Sequence, residues 1–170
     1  MFSSVLERDG KKKALEFAQE IMSFMAAILL TVTIMAIFFM PQIVGLIAPG
    51  FSHAPNKFNL AVDFAELTFV YLPLISLVAL LGGILNSLGK FAAMASAPIL
   101  LNLFLISSLG IFADILQTPG HGLAIGVAIG GLAQLIWLIE ACRRAKALPR
   151  LVWPRWTPRV RRLLKFMLPA

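Results

Sequence analysis

Two uncharged apolar stretches lie almost end to end in this chain, and they narrow the choice of fold more than any other feature. Leu67–Leu88 and Phe91–Ala113 contain no charged residue, and only Gly89 and Lys90 separate them. Each exceeds the roughly 20 helical residues that cross a hydrocarbon core about 30 Å thick. The join NSLGK leaves room only for a tight turn. The pair predicts a membrane hairpin, and the remaining chain extends or frames it.

Two further uncharged runs fit the same scheme, Ile21–Ala48 and Gly122–Ile139. The predicted spans are 21–48, 67–88, 91–113 and 122–139. Together they define an all-α polytopic membrane protein with a four-helix membrane region over 21–139. Composition agrees: 59% of residues are hydrophobic and 14% charged, where soluble domains carry about 25% charge. Pro41 interrupts the first run, which is expected to kink or end near Met40. Asn56 is a candidate N-cap for the second helix, with Leu60, Phe64 and Leu67 at helical spacing behind it. That helix is expected to begin in water and continue into the bilayer. Residues 1–20 form a polar, helix-prone cytoplasmic segment with a turn at Asp9-Gly10. Residues 140–170 form a basic cytoplasmic loop ending in VRRLLKFMLPA, which reads either as an interfacial amphipathic helix or, the favoured reading, as the first turns of a further helix.

The formal net charge is +7, and most of the fifteen Lys and Arg residues follow Glu140, where no acid occurs. Beside spanning helices, that surplus points to anionic membrane lipid rather than nucleic acid. Basic flanks mark cytoplasmic loops. The N-terminal segment carries four Lys/Arg, the Asn86–Lys90 turn one and the tail nine, so an even number of spans places both ends of the chain in the cytoplasm. Pro49–Glu66 and Asp114–His121 then face outward. The first fifteen residues lack the apolar core of a cleavable signal. The single cysteine, Cys142, excludes an intrachain disulfide.

No glycine-rich phosphate loop, paired carboxylates or metal-ligand spacing appears, so neither an enzyme nor a cofactor is expected; His53 and His121 read as loop histidines. Polar residues inside the apolar runs are more informative, because an amide in hydrocarbon is costly without a partner. Asn86, Asn102 and Gln134 are the candidates, either lining a pathway or packing one helix on another. Asn86 also suits the turn it occupies. Asn102 lies one turn beyond Pro98, which leaves the Met94 carbonyl without its usual donor. No span contains Arg, Lys, Asp or Glu, which argues against an ion relay held wholly within this chain. Pro41, Pro73, Gly82, Gly83 and Pro98 are possible hinges, or static kinks that aid packing. Gly122, Gly126 and Gly130 recur every four residues, forming a small-residue face that lets another helix approach closely.

The hairpin carries a recognisable signature. LISLVALLGGILNSLGKFAAMASAPILLNL, with APGF at Ala48–Phe51, resembles the lipid II flippase family (MurJ, formerly MviN) of the multidrug/oligosaccharidyl-lipid/polysaccharide exporter superfamily. The resemblance runs over nearly the whole chain, from FSSVLER to TPRVRRLLKFMLPA. It implies that the four spans are the third to sixth helices of a larger two-lobed flippase in the bacterial inner membrane. It implies transport of lipid II, the undecaprenyl-pyrophosphate-linked peptidoglycan precursor, from the cytoplasmic to the periplasmic leaflet by alternating access. The family's cavity arginines lie on its first, second and eighth helices, so none is carried over to this chain. The expected partners are lipid II, membrane lipids and the remaining helices of the full-length protein. The alternatives are a flippase for another polyprenyl-linked oligosaccharide and a non-transporting membrane protein that binds partners through its glycine face.

Overall fold

A computed structural model describes residues 2–50, 54–112, 115–116 and 118–154. The expected start of a further helix in VRRLLKFMLPA lies outside the described residues, as does His53. The described residues form six helices, in the order α1 (Phe2–Phe38), α2 (Met40–Ile47), α3 (Pro55–Phe69), α4 (Tyr71–Ser87), α5 (Ala92–Phe112) and α6 (Pro119–Arg144), and contain no strand. Among the described residues, four helical units are long and apolar enough to cross a membrane: α1, the α3–α4 pair, α5 and α6.

Prolines set most of the helix boundaries. Pro41 cannot donate a backbone hydrogen bond, so the first run breaks at Phe39 and restarts as α2 with the proline in its first turn. The α2 helix packs on α3 through Met40, Val44 and Val62. Pro73 deprives the Phe69 carbonyl of its donor, and α3 gives way to α4 at Val70, which keeps right-handed helical dihedrals. Pro55, not Asn56, governs the start of α3. The N-cap is Ala54, with no side-chain cap, and Pro55 occupies the first helical position, where a missing N–H costs nothing. Asn56 therefore lies inside the first turn. Gly10 interrupts α1 with φ 82° and ψ 171°, dividing an amphipathic N-terminal piece from the long span.

The tight turn between α4 and α5 is a Schellman motif. Lys90 N–H donates to the Leu85 carbonyl at 2.9 Å and Gly89 N–H to the Asn86 carbonyl at 3.0 Å, with Gly89 at φ 71°. The same motif ends α6, where Ala147 N–H reaches the Cys142 carbonyl and Lys146 N–H the Arg143 carbonyl, both at 2.9 Å. There the left-handed position is held by Lys146, at φ 50°.

Helices α5 and α6 lie antiparallel in close contact, and glycine makes that approach possible. A Cβ on Gly122 would meet Phe112 and Ser108, one on Gly126 would run into Ser108, and one on Gly130 would press on Leu101 and Phe104. The Gly122/Gly126/Gly130 face of α6 is thus occupied by α5. Gly131 gives the same clearance to the Tyr71 ring of α4, and Gly82 of α4 to Met94 of α5. The main core gathers Val78, Leu81, Ile84 and Leu85 of α4 with Ala18 and Met22 of α1, Ala97 of α5, and Leu138 and Cys142 of α6.

Because α5 fills the glycine face, Gly126→Leu is expected to destabilise the fold by about 1–3 kcal/mol or more. A lowered unfolding midpoint in detergent with unchanged oligomeric state would report it. Replacing Lys146 by Gly is expected to stabilise the α6 terminus by about 1 kcal/mol, since glycine adopts the left-handed conformation freely.

Candidate functional site

The polar groups within the spans divide into those satisfied inside this chain and those left over. Gln134, near the middle of α6, is 2% exposed. Its Nε2 donates to the Ala97 carbonyl of α5 at 2.7 Å, and its Oε1 accepts from the Tyr71 hydroxyl of α4 at 3.3 Å. One carboxamide therefore ties three helices. A turn away, Trp137 Nε1 donates to Ser96 Oγ at 2.9 Å and lies 3.3 Å from the Ala93 carbonyl. Both α6 side chains reach the turn just before Pro98, where α5 has lost a backbone hydrogen bond. Farther along, the buried Cys142 thiol contacts the Leu81 carbonyl at 3.7 Å.

Asn86 and Asn102 are placed differently. Both are exposed on the surface of this chain, and neither side chain makes a hydrogen bond among the described residues. Asn86 sits at the last turn of α4, beside the tight turn. Asn102 sits mid-helix on α5, on the side facing away from α6. The structure therefore does not bring the three amides together.

Of the other candidates, Pro41 and Pro73 sit beside the interruptions at Phe39 and Val70, whereas Pro98 lies inside the uninterrupted α5. Gly82 is packed on Met94, while a Cβ on Gly83 would meet nothing within 4 Å.

One end of the bundle collects basic residues. Lys11 Nζ donates to the Ala145 carbonyl at the α6 terminus at 3.0 Å, a favourable place for a cation at the negative pole of a helix. Arg143, Arg144, Lys146 and the Lys90 turn lie at the same end, with Arg144 paired to Glu140 at 2.9 Å. Ser23 Oγ accepts from Val152 N–H at 2.9 Å, fixing the segment after α6 onto α1. At the opposite end, the Phe64 ring packs on Gly120 and edge-on to His121, with centroids 4.9 Å apart. Among the described residues, no group of His, Cys, Asp or Glu is positioned to hold a metal ion.

Sequence reasoning missed Tyr71, Trp137, Lys11 and Ser23, and read Ser96 only as weak polarity within its apolar run. Tyr71 carried the clearest signal: it is the chain's single tyrosine, a hydroxyl inside an apolar run.

Apolar helices joined by glycine contacts and a buried amide define part of a polytopic membrane protein. Residues 1–170 match the family profile described as lipid II flippase MurJ. The chain is 40% identical over 174 residues to the probable lipid II flippase MurJ of Rhizobium meliloti, covering all of this chain and 32% of that protein. It is 39% identical over 175 residues to the Rhizobium tropici protein of the same name, again over the full chain and 33% of the relative. The Rickettsia prowazekii protein of that name is 34% identical over 161 residues, with 95% and 32% covered. The chain belongs to the lipid II flippase MurJ family. It spans about a third of the length of the curated relatives it matches.

Gln134→Leu removes the interhelical bond to the Ala97 carbonyl, which keeps its own partner within α5, and leaves the Tyr71 hydroxyl unmet; it is expected to cost about 1–2 kcal/mol. Tyr71→Phe removes only the longer contact and is expected to cost less. Thermal unfolding of the two variants in one detergent checks the order.

Proposed function

We propose that this chain is part of a lipid II flippase of the bacterial inner membrane, moving the polyprenyl-pyrophosphate-linked precursor between leaflets by alternating access. The observation that carries this reading is the family match over residues 1–170, together with relatives that bear the name at up to 40% identity. Those names favour lipid II over another polyprenyl-linked oligosaccharide. The glycine face is already filled by α5, which weighs against the reading of a protein that binds partners there.

In this reading, runs 21–48, 67–88, 91–113 and 122–139 cross the bilayer. The basic end formed by Lys11, Lys90, Arg143, Arg144 and Lys146 lies in the cytoplasm, against the anionic leaflet. The anionic head group needs cationic partners in a shielded cavity. These spans carry none, so those groups come from the part of the flippase outside residues 1–170. This segment contributes a braced body: α4, α5 and α6 move as one unit around Gln134. Bending is concentrated at Phe39–Pro41 and Val70–Pro73, where backbone hydrogen bonding is already interrupted.

Complementation tests the activity. A chimera in which residues 1–170 replace the matching third of the Rhizobium meliloti protein is expected to support growth of cells depleted of their own lipid II flippase. A well-expressed, correctly inserted chimera without rescue would count against the assignment. Topology is tested separately, in a Cys142→Ser background. A cysteine at His53 or Gln117 should be labelled from outside intact spheroplasts, and one at Lys146 should not. The reverse pattern would refute the orientation.

A further inference from the structure

Among the described residues, Thr33 of α1 holds the one buried side-chain polar atom without a hydrogen-bond partner. It is 5% exposed. Other hydroxyls in the spans are met by their own helix: Thr31 donates to the Ala27 carbonyl at 2.9 Å, Thr68 to that of Phe64 at 2.7 Å and Ser76 to that of Leu72 at 2.8 Å. Thr33 makes no such bond. A buried hydroxyl left unmet is destabilising, so its persistence calls for a reason.

The packing says what lies opposite. Met22, Thr33 and Ala36 of α1, with Met40 at the start of α2, are buried at helical spacing. Met22 shares the main core with Val78 and Leu81, and Met40 packs with Val62, so α1 runs antiparallel to α3–α4. Thr33 lies seven residues before Met40, which sets it level with Phe69, seven after Val62. Counted from Met22, eleven residues earlier, it falls opposite residues 67–70. Both counts lead to the α3–α4 joint, where Pro73 denies the Phe69 carbonyl its usual donor. Nearby side-chain donors are committed elsewhere, the Thr68 hydroxyl to Phe64 and the Tyr71 hydroxyl to Gln134. A donor without an acceptor thus stands level with an acceptor deprived of its helical donor.

We propose that Thr33 is a latch on the α3–α4 joint: in a second conformation, reached by a change of angle at Val70, its hydroxyl donates to the Phe69 carbonyl. Prolines inside membrane helices are tolerated where a Ser or Thr of a neighbouring helix satisfies the freed carbonyl. The unmet hydroxyl disfavours the conformation seen here and the bond favours the other, so one side chain biases the equilibrium from both ends. A trapped water fits less well, since it needs about two to four polar partners and the buried Ala36 and Met40 beside Thr33 offer none.

The latch rests on the bending proposed at Val70–Pro73, and its test separates the two. In the chimera, in a Cys142→Ser background, spin labels on the exposed Lys57 and Lys90 bracket the joint. Electron–electron distance measurement with and without lipid II is expected to show two populations, one matching this structure and one not. Thr33→Val keeps the shape and loses the hydroxyl, and should reduce the second population by about fivefold. Thr33→Ser should retain it. Because the hydroxyl is unmet in this conformation, Thr33→Val is also expected to unfold at the parent temperature or above it. A single distance throughout would remove the bend and the latch with it. Two populations that Thr33→Val leaves unchanged would overturn the latch alone. So would a lowered unfolding temperature for Thr33→Val that Thr33→Ser does not share, because the hydroxyl would then already be bonded in this conformation. Thr33→Ala, also without a hydroxyl, replaces Thr33→Val in the distance measurement if the latter fails to insert.

Discussion

The arrangement of these helices depends on one buried carboxamide. In water, apolar faces alone would draw helices together; in lipid that drive is absent, and contact relies on close packing and hydrogen bonds. Gln134 supplies the bonds and the α6 glycines supply the closeness. Its 2.7 Å bond to the Ala97 carbonyl fixes the register of α5 on α6, and its link to Tyr71 adds α4. Gly126 and Gly130 bring the α5 backbone near enough for a side chain of this length to reach. The brace meets α5 at the turn preceding Pro98, where the helix is short of one internal bond.

Much of the fold was legible because hydrocarbon imposes a blunt requirement. The uncharged runs identified the apolar helices, and Pro41 marked where the first would break; Pro73 and Pro98 were alike in sequence, yet α3 gives way to α4 near Pro73 and α5 runs unbroken through Pro98. The start of α3 was misread because Asn56 has the chemistry of a cap, while Pro55 has the geometry of a first helical residue. What sequence could not show is the direction in which each polar side chain points. Asn102 and Gln134 are equivalent in hydropathy and spacing, yet one faces away from its neighbours and the other is enclosed by them. Contacts distant in sequence were equally hidden: nothing near Lys11 announces that it caps a helix ending at Arg144.

The chain spans about a third of the length of the relatives it matches, and its polar groups divide into those met within it and those that are not. Groups needed to hold α4, α5 and α6 together are satisfied internally. On the proposed reading, the cationic groups that meet the substrate lie elsewhere in the polypeptide. This segment is then a scaffold, rigid around Gln134 and bent at its proline-marked interruptions, against which other helices move.

Distances across the braced unit test that account most directly. Spin labels on Lys90, at the α4–α5 turn, and on Arg144, at the end of α6, flank the unit from exposed positions in a Cys142→Ser background. Measured in the full-length chimera by double electron–electron resonance, with and without lipid II, they should give one narrow distance distribution that lipid II leaves unchanged. A second, shifted population appearing with lipid II would show that α4 and α6 move apart, and would contradict the rigid scaffold.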